Sequence, residues 1–421
     1  MADGALGAVF RVREFRVVWA AELLSIAGDQ LARVALAVLV YGRTGSAAWA
    51  AATYALTFLP ALLGGVLLSG LADRYRRREV MIASDVVRAV LVGAMAIPQL
   101  PLWALCALVV VVVLLGSPHT AAQGALLPEI LHGELYERGL AVRQITSQSA
   151  QLVGFASGGV LVAAISPSMA LLGNAASFSL SAVLVRAGLA DRPRPGAMEE
   201  GDAAAGADAP VGGLRGAAAA LFEIAADPRR RALVLLAWLV GWYVVPEGLA
   251  APYADQLGAG PAVVGVLMAA DPLGSVIGAW LFVRFVPAQT RARIVGVLAV
   301  GAGLPLVLCL FRPAVPLTLV LWAVSGMLST AYLLQTQASF VRATPVVGRG
   351  RAIGVAASGI IAAQGAAVLI GGVLADEWDP STAIAVAGAV GALLSLGAAV
   401  AWHRANRHHR EPADTTVLAS G

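Results

Sequence analysis

Asp29 and Arg33 stand one helical turn apart in SIAGDQLARVAL, residues 25–36, within a stretch built mostly of Val, Ala, Leu and Ile. Glu22 falls on the same face, because seven residues carry a helix through nearly two circles and four through slightly more than one. An ionised group in such a setting must face a polar cavity or a partner of opposite charge. Two chemistries are open to this triplet. Asp29 and Arg33 can pair with each other and only orient their helix, or Asp29 can carry a coupling proton and help to bind a substrate.

Other charged residues sit in apolar stretches. Asp85 and Arg88 are again about one turn apart and can pair with each other or with loop arginines, which reads as structural. In WYVVPEGLAAPYADQ, residues 242–256, Glu247 lies between two prolines that must interrupt a helix. Asp271 is followed by Pro272 and can cap a helix break. Glu247 and Asp271 can also form an acidic wall suited to a proton or a cationic group. His119 in SPHTAAQ can titrate but, alone near a helix end, reads as structural. Cys106 and Cys309 are single and form no pair and no metal set, so neither metal nor cofactor is expected.

Helices in lipid must position these residues. Of 421 residues, 59% are hydrophobic and 13% charged, with a mean hydropathy of +0.80. Soluble globular chains carry about 25% charged residues. Ala89 to Pro128 and Gln144 to Val185 are free of ionised side chains for 40 and 42 residues, broken by PQLP and SPS. Each holds two spans of about 20 residues. Twelve membrane helices follow: 15–41, 47–72, 80–98, 102–124, 139–164 and 168–188 in the first half, then 230–256, 262–284, 291–311, 314–341, 351–376 and 380–402. Asp29 then lies about 20 Å into its helix, near the midplane. No small-residue cleavage site follows the first apolar stretch, so no removable signal peptide is expected.

The expected organisation is a six-helix bundle over 1–188, a cytoplasmic linker over 189–228, a second six-helix bundle over 229–402 and a cytoplasmic tail over 403–421. The linker segment RPRPGAMEEGDAAAGADAPVGG is rich in Pro, Gly, Ala and acid. The segment 214–227 after it can form a short surface helix. The chain has 29 Arg and no Lys. With the N-terminus inside, all but Arg33, Arg43, Arg88 and Arg312 fall on cytoplasmic faces, the positive-inside pattern, with both termini cytoplasmic. The net charge of +4 is explained by the inner leaflet and calls for no nucleic acid.

The halves repeat. A shift of 213 residues lays AQLVGFASGGVL (150–161) on AQGAAVLIGGVL (363–374) with six of twelve identities, and pairs Gly65 with Gly278, Arg78 with Arg291 and Arg138 with Arg351. Two six-helix halves that both start inside form parallel repeats about an axis normal to the membrane. Gly154, Gly158 and Gly159 in one copy, and Gly371 and Gly372 in the other, let helix backbones approach closely. These two helices are expected to meet between the halves and to move during transport.

SGLADRYRRRE, residues 69–79, resembles the loop signature of the major facilitator superfamily, although Ser69 and Arg76 replace two of its glycines. LLPEILHGELYERGLAVRQITSQSAQLVGFASGGVL, residues 126–161, is similar to the branch containing the enterobactin exporter and related drug-efflux permeases. The glycine-proline of that family's antiporter helix is Gly154-Phe155 here. The resemblance implies a twelve-helix transporter and a cytoplasmic gate at Asp73, Arg74, Arg77 and Arg78. Asp73, by its chemistry, can cap a neighbouring helix start, for which the helix beginning near Arg351 is the expected partner.

Without Lys there is no Walker A phosphate loop, and neither GxSxG nor HExxH occurs, so an enzyme is not expected. The expected function is secondary active transport in a bacterial cell membrane. A monomer would export a small amphipathic drug, siderophore or secondary metabolite against protons by alternating access. A proton-coupled importer and a non-transporting sensor on the same fold are the alternatives.

Overall fold

The computed structural model describes residues 7–68, 70–192, 214–345 and 348–407; the side chains of 66, 73, 214–217, 288, 406 and 407 lie outside that set. Most of the expected linker and the tail beyond 407 therefore fall outside the described residues.

Every regular element among the described residues is helical. In the first half α1 is Arg13–Thr44, α2 Ala47–Gly65, α3 Arg77–Met95, α4 Leu102–Ile130, α5 Glu134–Ile165 and α6 Pro167–Gly188. In the second, α7 is Pro228–Gly248, α8 Pro261–Phe285, α9 Gln289–Phe311, α10 Val315–Ala343, α11 Arg349–Glu377 and α12 Pro380–Ala405. The short helix Leu214–Ala226 precedes α7 and packs on α7 and α11.

Eleven of these helices are long and apolar enough to cross a membrane. The exception is α3, whose 19 residues include Asp85 and Arg88. Its faces explain why it still belongs with the others. Asp85 and Arg88 are buried, while Val86, Val87 and Val90 are exposed. A helix in water turns its charge outward; α3 does the reverse, as a helix with lipid outside and a polar interior must.

Local signals set the helix ends. Gly45, at φ +64°, ends α1, and Ser46 Oγ accepts the Trp49 amide at 3.2 Å to start α2. Ser166 caps α6 ahead of Pro167. Asp227 caps α7 ahead of Pro228, accepting the amides of Arg229 and Arg230 at 2.8 and 3.4 Å. Further along, α7 tightens into a 3-10 stretch over Leu239–Val244, turns at Val245–Gly248 and resumes as Ala250–Gln256.

The chain divides into two compact units. The first holds Met1–Ala207 with Ala250–Ala269, and the second Asp208–Leu249 with Ala270–Gly421. The helix Ala250–Gln256 and the start of α8 thus pack with the first unit. Tyr41 at the end of α1 donates to Asp255 Oδ2 at 3.1 Å there.

In the first unit α1 packs on α5 and α6, and α3 on α4 and α6. Phe15, Met81, Leu126, Leu127 and Val185 meet in one cluster at its arginine-rich end. Close approaches are made by glycines. A Cβ on Gly154 would sit 2.8 Å from Gln30 Cβ, and one on Gly158 3.3 Å from Leu31 Cα, so both face α1. Gly159 instead meets Ala262 and Gly265 at the start of α8. In the second unit Gly371 faces Val245 of α7, and Gly274 and Gly278 of α8 meet the α10 backbone. Gly372 is buried.

Candidate functional site

The first unit lines an open cavity of about 700 Å³. Glu22, Asp29, Arg33, Arg88, His119 and Arg143 supply its charged and titratable lining. Phe58, Val92, Met95, Val112 and Val113 supply an apolar side. α1 contributes its polar face, while α2, α3 and α4 bring most of the apolar residues.

The Asp29–Arg33 pairing expected from sequence is not the one formed. Asp29 Oδ2 lies 3.1 Å from Arg88 Nη2, which reaches across from α3. Arg33 donates to Gln30 Oε1 at 3.2 Å and has no carboxylate within 4 Å among the described residues. One turn along the same helix brings Asp29 and Arg33 near each other, but packing of α3 on α6 and α4 thrusts Arg88 into the space beside Asp29.

Arg88 is shared. Its Nη1 lies 3.7 Å from Asp85 Oδ1, and its guanidinium stacks 3.9 Å above the Phe178 ring. Asp85 is fully buried, accepts from Ser181 Oγ at 2.6 Å, and lies 3.4 Å from His119 Nε2. Neither Asp85 Oδ1 nor His119 Nε2 has a hydrogen-bond partner. Asp29, Arg88, Asp85 and His119 therefore form a chain of four titratable or charged groups, in which Asp85 lies behind the cavity lining and the other three line it. Glu22 takes a separate partner, Arg143 of α5, in a two-bond grip at 2.6 and 2.8 Å.

Glu247 and Asp271 belong to the second unit. Glu247 is buried in the interrupted part of α7, near enough to Asp271 for the two carboxyls to repel when both are charged. Ser275 Oγ is 3.5 Å from Asp271 Oδ2 and is itself held by Thr330 at 2.7 Å.

At the arginine-rich end, Arg77 pairs with Glu129 and Arg78 donates to the Arg186 carbonyl. Arg76 pairs with Asp191 at 2.8 Å, and Arg192 grips Glu14 at 2.7 and 2.9 Å. Arg74 is exposed, and the Asp73 side chain lies outside the described ones. No cluster of three metal-ligating side chains occurs among the described residues.

Sequence reasoning missed the partners of Asp29 and Glu22 and the meeting of His119 with Asp85. Each contact joins residues more than 30 positions apart, and no local spacing encodes it. One available signal was the helical face of α3, which puts Asp85 and Arg88 opposite a valine-rich face.

Comparison with known proteins bears on the fold as a whole. Over 127 residues, 30% of each chain, the protein is 32% identical to the MFS-type transporter YfiS of Bacillus subtilis. It is 26% identical over 125 residues to macrolide efflux protein A of Streptococcus pyogenes, and spans 31% of that relative's length. A peptide transporter POT solved with sulfate superposes with a TM-score of 0.72 at 14% identity, covering 94% of this chain and 95% of that one. A bacterial homologue of the human lysosomal transporter Spinster, solved inward-facing and unoccupied, gives 0.60 at 14% identity over 93% and 95%. These solved structures share the all-helical fold of this chain. The sequence profile of the Major Facilitator Superfamily matches residues 18–247 and 233–418, nearly the whole chain. The chain belongs to that superfamily of multi-pass membrane transporters.

Proposed function

We propose that this transporter exports a small amphipathic molecule across the bacterial cell membrane in exchange for protons, by alternating access. The observation that carries the reading is the cavity of the first unit, which joins an apolar wall to the charged chain Asp29–Arg88–Asp85–His119. Midplane charges are costly in lipid and are kept where a substrate or ion uses them. Export is favoured by the partial likeness to macrolide efflux protein A. The likeness to the efflux-permease branch in residues 126–161 points the same way.

In this reading Asp29, with Glu22, Arg33, Glu247 and Asp271, supplies the proton and substrate groups. Asp73, Arg74, Arg77 and Arg78 form the gate at the inner face, and both termini are cytoplasmic. The test is accumulation of candidate amphipathic compounds in cells with and without the protein, with and without a protonophore. Lower accumulation that the protonophore abolishes is expected. Higher accumulation with the protein would mean import, and an effect indifferent to the protonophore would remove proton coupling.

A further inference from the structure

Arg88 is placed to leave Asp29. Two carboxylates compete for its one guanidinium: Asp29 at 3.1 Å holds it, while Asp85 at 3.7 Å lies just beyond hydrogen-bond reach. The Asp85 side chain is fully buried, and its Oδ1, the atom facing Arg88, has no hydrogen-bond partner. A buried carboxylate oxygen left in that state is costly, so closing the 3.7 Å gap between Arg88 Nη1 and Asp85 Oδ1 is favourable. Arg88 is itself only 8% exposed, whereas the Asp29 side chain is 37% exposed, and Asp29 lines the cavity as Asp85 does not.

We propose that Arg88 is a displaceable counter-ion: a cationic group of the substrate docks on Asp29 from the cavity, and Arg88 withdraws onto Asp85. The exchange breaks the Asp29–Arg88 pair, forms one between Asp29 and the substrate and tightens the one between Arg88 and Asp85, so no charge is left unpaired in the low-dielectric interior. The Phe178 ring beneath the guanidinium offers a face along which it can slide between the two carboxylates. The other charged groups around this point leave the exchange intact. Glu22 is occupied by Arg143, Arg33 is hydrogen-bonded to Gln30, and His119 lies 3.4 Å from Asp85 Oδ2, leaving the Oδ1 that faces Arg88 unoccupied. The substrate class is therefore an amphipathic cation such as an amine, its apolar body against the Phe58, Met95 and Val112 side of the cavity.

This rests on the transporter reading above, yet its test reads binding and not transport. The full chain in detergent is titrated with tetraphenylphosphonium and with tetraphenylborate, matched in size and opposite in charge. Saturable binding of the cation is expected, weakened about tenfold or more by Asp29→Asn, which removes the carboxylate that meets the substrate's charge. Asp85→Asn should also weaken it several-fold although Asp85 does not touch the cavity, because Arg88 then has nowhere to withdraw. Arg88→Gln combined with Asp85→Asn should tighten it several-fold, since the competitor is gone and the buried charges still balance. If that double variant does not fold, Asp85→Asn alone decides.

Cation affinity unchanged by Asp85→Asn, absence of saturable cation binding, or tighter binding of tetraphenylborate would overturn the proposal. The last would make Arg33 the docking group for an anion. Cation binding that behaves as expected in a protein showing no protonophore-sensitive efflux would leave this site standing and remove the export reading.

Discussion

Arg88 satisfies Asp29 from another helix, so the effect of removing a charge depends on contacts across the bundle more than on spacing along it. Asp29→Asn should lower the unfolding temperature, because Arg88 loses its nearer partner. Adding Arg33→Gln should restore none of that loss, since Arg33 is bonded to Gln30 and not to Asp29. Recovery in the Asp29→Asn, Arg33→Gln double variant, read by thermal unfolding in detergent, would contradict this pairing. Glu22 and Arg143 make a cleaner test, each side chain under one-fifth exposed. Glu22→Gln leaves a guanidinium without its carboxylate and should cost up to about 3 kcal/mol. The exchange of Glu22→Arg with Arg143→Glu should recover part of that loss, measurable as a double-mutant cycle.

Between helices, contact is set by the absence of side chains. In lipid, association relies on close packing and not on the hydrophobic effect. Gly158 has room for a methyl group only if Leu31 and Val34 yield by a few tenths of an ångström. Gly158→Ala should therefore be tolerated, while Gly158→Val should destabilise by about 1–3 kcal/mol, the range for overpacking. At Gly371 the obstruction is a side chain, Val245 Cγ1, 2.5 Å from an added Cβ. Gly371→Ala should be damaging alone and rescued by Val245→Ala. The start of α7 adds a pH dependence. Partial burial acts to raise the Asp227 carboxyl, but the hydrogen bonds it accepts from Arg229 and Arg230 outweigh that and hold it below the usual carboxylate range. A lowered folded-state value stabilises above the unfolded one. The cap should thus be intact at neutral pH and lost as pH falls below about 4. Faster amide exchange at residues 229–231 in acid is expected, and at every pH in Asp227→Ala, which removes about 1 kcal/mol of capping.

For the molecule as a whole, the arginines that set the expected orientation also serve as mortar. The residues that follow the positive-inside pattern also tie helix ends together: Arg77 to Glu129, Arg78 to the Arg186 carbonyl, Arg192 to Glu14. Reversing Arg74, Arg77 and Arg78 to Glu together should expose a cysteine placed in that loop to an outside reagent in part of the population. Reversing Arg74 alone should leave the orientation unchanged, because one charge is small against the many other inward arginines. If Asp73 belongs to the gate, Asp73→Asn should insert normally and transport slowly. Normal rates across substrate concentrations would remove it from that role.

The sequence by itself determined the medium and the approximate extents of most helices, although the expected 47–72 is interrupted after Leu56, resumes at Pro60 and ends at Leu67. Apolar runs of a fixed length are a property of consecutive residues, and the bilayer imposes that length on each of them. Thus the expected 102–124 became Leu102–Ile130, and 168–188 became Pro167–Gly188. The break at Glu247 was legible because proline cannot donate a backbone hydrogen bond. Even α3, too charged to pass as a span by composition, was expected over 80–98 and runs Arg77–Met95. Pairing was not legible. Asp29 had a plausible partner four residues away and took one 59 residues away. Gly154 and Gly158 were expected to face the partner half and lie against α1 in their own unit. His119 looked solitary and stands beside Asp85. Only the tertiary structure could decide these. A helix offers several faces at once, and which groups meet depends on how neighbouring helices rotate to bury every charge with a counter-charge, a condition on the whole bundle that no local spacing contains.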